Sequence, residues 1–326
     1  MTPEVKCELT TINWQEIKTY PLSERRSKVS FDDFARPGHK GISFAAFWGN
    51  LPNILAAADF KAVVEAIVNA YKTQKSVLLG MGAHVIKCGL GPLVNELVRR
   101  GVLKGIAMNG ACIIHDFEIA YAGKTSEDVE RELHCGRFGM VQETGEFLNQ
   151  TIKEGVAQGL GIGRAVGKKL LAMQPPFKEY SILYQCALLE VPVTVHVAVG
   201  TDIIHMHPAA DGAAIGGGSL RDFREFTSLV AGLSNGGVYI NLGSAVILPE
   251  VFLKAVSVLN NLGHGLKNFT TVNMDFVQHY RPRENVLKRP VAAGGKGYAL
   301  TGHHEIMLPL LTQSVIELLE MEEANK

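Results

Sequence analysis

Short β-branched apolar runs alternate with longer stretches of helical periodicity along most of this sequence. The runs at 76–80, 105–108, 191–199, 236–243 and 269–276 are each short enough for a buried strand. Between them, apolar residues recur every three or four positions, as on one face of a helix. Such alternation is typical of crossover units on a parallel sheet. The sequence therefore predicts an α/β fold of about six parallel strands, with helices on both faces of the sheet.

The run at 191–199 has the most regular strand pattern. Its valines occupy every second position from Val191 to Val199, so that they share one face of a strand. We expect this strand to lie at the centre of the sheet.

The chain of 326 residues shows neither a second core nor an internal repeat nor a low-complexity linker. We expect one α/β domain over 59–320, an N-terminal extension over 1–58 packed on the core, and a tail over 321–326.

Charge and composition limit the partners of this chain. Its 32 basic and 32 acidic residues balance, so no net charge favours nucleic acid or an anionic membrane surface. No apolar run approaches the roughly 20 residues that span a bilayer. The N-terminal residues lack the layout of a signal peptide, and the five cysteines form no C-x-x-C pair. We expect a soluble cytoplasmic protein with a small-molecule or protein partner.

A glycine-rich stretch at 154–173 invites comparison with phosphate-binding loops. In a dinucleotide fingerprint the glycines directly follow a strand, whereas here they follow a predicted helix. A Walker loop would need Ser or Thr at the position of Lys169. The stretch is therefore interpreted as a break between two helices, and a nucleotide is expected to bind elsewhere.

Four loops that follow predicted strands are better candidates for a site. They lie at 78–91, 107–116, 199–208 and 240–246, and they combine small residues with Asp, Asn, Ser and His. Because the carboxyl ends of parallel strands meet at one edge of a sheet, the four loops predict a shared pocket.

The order of these loops resembles that of deoxyhypusine synthases. The similarity is carried by LLGMGAHVIKCG, GIAMNGACIIHD, YSILYQCALLEVPV, VGTD, GGVYINLGSAV, RPRENVLK and MLPLL, and it extends over roughly residues 60–315. The resemblance implies a single-domain nucleotide-binding fold of the deoxyhypusine synthase type. It also implies NAD-dependent transfer of the aminobutyl group of spermidine, through an imine on an enzyme lysine, to a protein lysine or to putrescine.

The resemblance also implies roles for individual residues. The residues expected to line an NAD cleft are Gly82, Ala83, His84, Asn109, Gly110, Ala111, Gly243 and Ser244. The residues expected on the substrate side are Lys288 as the imine former, Glu284, Asp202, His115 and His207. Lys296 is a rival for the imine, and a dimer or tetramer is expected because the family's sites form between subunits.

Departures from the family pattern keep other interpretations open. Lys288 and Glu284 could form an ordinary surface ion pair. Histidines replace several of the family's polar groups, and His205, His207 and Asp202 could hold a zinc-type ion in a hydrolase or lyase. A non-catalytic homologue that binds a nucleotide or a polyamine is a further alternative.

Overall fold

The computed structural model describes residues 9–323, and these residues contain one six-stranded parallel sheet. Its strands are β1 (Val77–Met81), β2 (Gly105–Asn109), β3 (Val193–His196), β4 (Val238–Leu242), β5 (Thr270–Asp275) and β6 (Lys296–Thr301). Their spatial order is β3-β2-β1-β4-β5-β6. The predicted α/β class is confirmed, and the order is that of dinucleotide-binding sheets.

Helices cover both faces of this sheet. They are α1 (Phe44–Asn50), α2 (Leu55–Lys72), α3 (His84–Lys87), α4 (Gly91–Arg99), α5 (Gly110–Ala122), α6 (Val129–His134), α7 (Gln142–Ala157), α8 (Ile162–Met173), α9 (Ile182–Leu188), α10 (Gly212–Ala231), α11 (Ile247–Asn261), α12 (Tyr280–Pro282) and α13 (His304–Glu323). A π-helical segment, Arg283–Lys288, continues α12. The last helix thus extends past the predicted boundary at residue 320.

Two apolar clusters hold the layers together. The larger joins α2, α4, α5, α8, α9 and α13 to the sheet. The smaller lies under α10 and α11, where Tyr239 of β4 stacks on Phe252 with ring centroids 3.9 Å apart. Gly80 in β1 leaves room for this tyrosine, because a Cβ at residue 80 would come within 2.2 Å of the Tyr239 hydroxyl.

The expectation of a central strand at 191–199 is wrong. The regular strand β3 covers only four of these residues and lies at the edge of the sheet. Its outer side is protected by α10, since the carboxylate of Asp222 accepts a hydrogen bond from Val195 N at 2.8 Å. Pro192 at the start of the run has no N–H to donate, and proline belongs at sheet edges for that reason.

The N-terminal extension packs on the core only at its end. Trp48 in α1 contacts Phe60 of α2, with ring centroids 5.8 Å apart. Residues 9–41 are all exposed except the half-buried Asp33. The expected packing of this segment is therefore wrong over 9–41, because its short 3-10 turns form no continuous apolar face against the domain. Residues 1–8 and 324–326 of the expected extension and tail lie outside the described residues.

The helices of residues 9–323 include none with the length and hydropathy that a bilayer crossing requires.

Candidate functional site

The carboxyl ends of β1 and β4 meet at two glycines. Gly82 N donates a hydrogen bond to Leu242 O at 3.0 Å, and a Cβ on Gly82 would come within 2.2 Å of Gly243 O. Gly243 itself has a φ of +66°, a left-handed conformation that glycine adopts without strain. We call this contact between Gly82 and Gly243 the glycine crossing. It lies where the strand order reverses, which is where open α/β sheets bind their ligands.

His304, the first residue of α13, covers the glycine crossing. Its side chain is 1 % exposed, and neither ring nitrogen has a hydrogen-bond partner among residues 9–323. The nearest carboxylate is that of Asp275 at the end of β5, with Oδ1 4.0 Å from Nε2. Burial lowers the pKa of His304, and the charge of Asp275 opposes this shift. A buried imidazole whose two nitrogens have no hydrogen-bond partner therefore lies beside the crossing.

Three further rings surround His304. His84 lies edge-on to it with centroids 5.6 Å apart, and Phe276 lies at 6.2 Å in a similar orientation. His303 stacks on the other side of Phe276, nearly parallel to it at 6.0 Å. These rings follow the ends of β1, β5 and β6. Together with His304 they form a cluster of aromatic and imidazole rings at the carboxyl edge of the sheet.

A cavity of about 160 Å³ lies along the first turns of α5, at the carboxyl edge of the sheet. Its ionisable lining residues are Lys87, His115, Glu118, Glu127 and Asp202. They come from α3, α5 and the loops after α5 and β3, so the ends of β1, β2 and β3 all contribute to the cavity.

Asp202 brings an unsatisfied carboxylate to this cavity. Its side chain is only 9 % exposed, and its Oδ2 has no hydrogen-bond partner among the described residues. Burial raises its pKa to about 6. A Cβ on Gly110 would come within 2.0 Å of Oδ2, so the carboxylate lies against the first turn of α5. A buried acceptor of this kind suits a ligand that donates hydrogen bonds, such as an ammonium group or a hydroxyl.

His205 accompanies Asp202. Its Nδ1 accepts hydrogen bonds from Gly200 N and Asp202 N, both at 3.1 Å, so the neutral ring carries its proton on Nε2. That nitrogen is buried and unpartnered, 3.9 Å from Asp202 Oδ2. Burial lowers the pKa of His205.

The residues at the strand ends fit a dinucleotide. Backbone can approach a ligand closely at Gly82 and Gly243, and the unused nitrogens of His304 lie beside them. The first turn of α5 does not suit the pyrophosphate, because the carboxylate of Asp202 would repel it there.

The structure brings most of the sequence-predicted residues to this edge. Gly82, Ala83, His84 and Gly243 lie at or beside the crossing, and Asn109, Gly110, Ala111, His115 and Asp202 lie at or near the first turns of α5. Asn109 and Ser244, two of the sequence-predicted residues, use their side-chain oxygens in hydrogen bonds within the protein. Asn109 Oδ1 accepts from Cys112 N at 3.2 Å, and Ser244 Oγ accepts from Leu248 N at 3.2 Å.

Lys288 and Glu284 do not lie with these residues. The preceding turn is fixed near the start of β5, where Thr271 Oγ1 donates to Val286 O at 2.8 Å. Lys288 is 59 % exposed and pairs with Glu284 at 2.6 Å. Lys296 is the first residue of β6. Both lysines therefore lie toward the amino edge of the sheet, because the segment after β5 returns along the sheet before β6 begins.

His207 also lies outside the site. It is half-buried, its Nδ1 accepts from Ala209 N at 3.1 Å, and its ring packs on Gly145 of α7, where a Cβ would come within 2.4 Å of it.

In the glycine-rich stretch at 154–173, the N-terminus of α8 is already filled by a side chain of the protein, that of Asp222. Asp222 Oδ2 accepts from Gly163 N at 3.0 Å, and a Cβ on Gly161 would come within 1.8 Å of Oδ1. Asp222 thus fills the N-terminus of α8, where a phosphate would otherwise sit, and burial raises its pKa to about 7. A Gly161→Ala change would disturb this contact.

Within residues 9–323, no group of three His, Cys, Asp or Glu side chains is placed to hold one metal ion.

Sequence reasoning missed part of the site. The sequence assigned no individual role to His304, Asp275, Phe276 or Lys87. The strand β6 was not predicted either, because its buried fraction is small and its only β-branched residue is Thr301. The pattern predicts a last helix from residue 305, but without β6 nothing places the start of that helix at the carboxyl edge.

Solved structures share this fold. A protein assigned as a deoxyhypusine synthase from Entamoeba histolytica matches with TM-score 0.51 and 11 % identity over 86 % of this chain and 95 % of its own. An LOR/SDH protein from Methanococcus maripaludis S2 matches with TM-score 0.51 and 15 % identity over 81 % and 71 %.

AgrE, in a ternary complex with ornithine and NAD⁺, matches with TM-score 0.53 and 15 % identity over 82 % of this chain and 34 % of its own. The chain thus spans about a third of AgrE, and likewise of the arginine dihydrolase ArgZ from cyanobacteria. At these identities the likeness shows the fold. No protein-family model and no curated protein matches the chain.

Proposed function

We propose that this protein is an NAD-dependent enzyme that acts on a small cationic amine. The observation that carries the proposal is the unpartnered, buried carboxylate of Asp202, which lines a cavity at the carboxyl edge of a dinucleotide-type sheet. The bound ligands named for AgrE, an amine-bearing amino acid and NAD⁺, agree in class with such a site.

In this proposal, the residues at the glycine crossing bind the cofactor and accept a proton, and the residues of the cavity bind the amine. NAD, when bound, accepts a hydride from the substrate. Gly82 and Gly243 would allow backbone to line the dinucleotide, and the unprotonated ring nitrogen of neutral His304 would take up a proton. Asp275, 4.0 Å from His304, would stabilise the protonated ring.

The cavity supplies recognition of the amine. Asp202, Glu118 and Glu127 line it, and carboxylates hold an ammonium group by charge-assisted hydrogen bonds. The cavity is small, so it admits one end of a linear amine, and the rest of the substrate extends toward the crossing.

Aminobutyl transfer is the finer form of this proposal, and it needs a lysine near the substrate. Lys288 forms an exposed ion pair with Glu284 toward the amino edge of the sheet, away from the cavity. Lys87 lines the cavity beside His115 and Asp202. Within one chain, Lys87 is therefore the better placed imine former.

Product analysis tests both forms. The protein is incubated with NAD, spermidine and putrescine, and the mixture is analysed by mass spectrometry with and without borohydride. Release of 1,3-diaminopropane and a trapped adduct on Lys87 support transfer, with Lys288→Met as the matched control that keeps the adduct. Reduced NAD without an adduct indicates amine oxidation alone. Binding of NAD without any reduction indicates the non-catalytic alternative.

We also propose that the protein assembles with copies of itself through its N-terminal segment. Within residues 9–43, nine large apolar side chains are at least half exposed: Leu9, Ile12, Trp14, Ile17, Tyr20, Leu22, Val29, Phe31 and Phe34. Covering them would bury on the order of 1,000 Å², enough for one side of a stable interface of about 800 Å² per partner. A second copy suits this role because most soluble oligomers are homo-oligomers.

A further inference from the structure

Four side chains at or near the cavity form a hydrogen-bonded chain that the proposed reaction does not yet use. His115 Nδ1 lies 2.7 Å from the hydroxyl of Thr125, which follows the C-terminus of α5. The Thr125 hydroxyl also donates to Glu118 Oε2. The other oxygen of Glu118 accepts from Thr144 Oγ1 at 3.1 Å. His115 and Glu118 are mostly buried, with 18 % and 15 % of their side chains exposed.

The direction of these hydrogen bonds fixes the tautomer of His115. A hydroxyl has a single proton, and a carboxylate can only accept. Because the Thr125 proton points to Glu118, the Thr125 oxygen must accept from His115, so the proton of the neutral ring is on Nδ1. The Nε2 lone pair is then left over. Among residues 9–323 no hydrogen bond to that nitrogen occurs, while the ring lines the cavity.

The burial of His115 favours its neutral form. The pKa of His115 is lowered to about 4, mainly because the ring is buried and to a smaller extent because of the positive charge of Lys87. The carboxylates that face the same space are Glu118 on α5 itself, Glu127 on the following loop and Asp202 after β3. The ring therefore remains an uncharged hydrogen-bond acceptor throughout the neutral pH range.

We infer that His115 is a specificity-determining residue that accepts a hydrogen bond from the substrate's ammonium group through Nε2, and that Thr125 and Glu118 are positioning residues that set its tautomer. The inference rests on the proposed function for the class of substrate. A neutral acceptor beside carboxylates can bind one N–H of an ammonium group without repelling its charge. A charged or Nε2-protonated ring in the same place would oppose the cation.

The first test is NMR of the imidazole groups in the full-length protein labelled with nitrogen-15 histidine, with the His115 signals assigned by their loss in His115→Gln. The expected wild-type spectrum is that of an Nδ1-protonated ring. Thr125→Val should remove the single tautomer, and Thr125→Ser should retain it. Thr144→Val, which alters only the far oxygen of Glu118, is the matched control. An Nε2-protonated His115 in the wild type overturns the inference.

The second test is calorimetric titration with spermidine in the absence of NAD, so that binding is measured without turnover. Thr125→Val is expected to weaken spermidine binding about tenfold, with Thr125→Ser close to the wild type. Equal affinity in Thr125→Val and wild type, or no spermidine binding by the wild type, overturns the inference. Spermidine binding that depends on Thr125 in a protein that never reduces NAD leaves the inference standing, and it is the proposed function that fails.

Discussion

The ring of His304 lies directly against the backbone of Gly243: a Cβ on Gly243 would come within 2.6 Å of His304 Nε2. Since Gly243 also has a left-handed φ of +66°, any side chain there costs about 1 kcal/mol or more and displaces the ring. We predict that Gly243→Asp abolishes NAD binding, through steric block and through charge against the pyrophosphate.

The measurement is calorimetric titration with NAD, alongside thermal unfolding to show that the variant is folded. Gly217→Ala in α10 is the matched control, because a Cβ there meets only Val156 Cγ1 at 3.7 Å. Equal losses of affinity in the two variants would place the dinucleotide elsewhere.

His304 and its neighbour His303 form a natural pair for a second prediction. His304 is buried beside Asp275, whereas the side chain of His303 is 68 % exposed and stacks on Phe276. His304→Gln should lower kcat for amine oxidation by roughly a hundredfold, the usual contribution of a positioned proton acceptor. His303→Gln should retain most of the activity. Steady-state kinetics that show the opposite ranking would remove His304 from the proposed chemistry.

Asp202 predicts a pH dependence of amine binding. Burial raises its pKa to about 6, so its carboxylate is charged above that pH and is neutralised as the pH falls through it. The affinity for spermidine should therefore decrease below about pH 6. Asp202→Asn should bind spermidine weakly at every pH, without this inflection. Calorimetry across the pH range measures both, and an inflection that persists in Asp202→Asn would assign it to another group.

The exposed N-terminal segment predicts the assembly state. Removal of residues 1–36 takes away all nine exposed apolar side chains of that segment but leaves Trp48 and α1 in place. Light scattering should give a dimer or tetramer for the full chain at micromolar concentration and a smaller species for the shortened one. A monomeric full chain, or an unchanged mass after removal, would contradict the proposed contact.

The alternation of strand and helix patterns was sufficient to predict the fold class. It placed five of the strands within a few residues, because each is a short apolar run between helical stretches. The position of β3 could not be predicted, since its alternating valines suit a covered edge as well as a centre. What covers that edge is Asp222, a residue 27 positions away in sequence from Val195.

The site was predictable where it follows an apolar strand and a small-residue turn. The loops at 78–91, 107–116 and 240–246 were predicted in this way, and Gly82, Gly110 and Gly243, which the resemblance singled out within them, all lie at the carboxyl edge. Lys288 was assigned by resemblance, and the return of the chain between β5 and β6 carries it to the other edge. Thr125 gave no sequence signal, because its role depends on a loop that folds back on α5.

The most direct test of the account is whether the purified protein reduces NAD when a small amine is added. Absorbance of reduced nicotinamide should rise on addition of spermidine, putrescine or ornithine to the wild type, and it should stay at baseline in Gly243→Asp. No rise with any of these amines together with no release of 1,3-diaminopropane from spermidine, in a wild-type protein whose folding is confirmed by circular dichroism, would contradict the central claim.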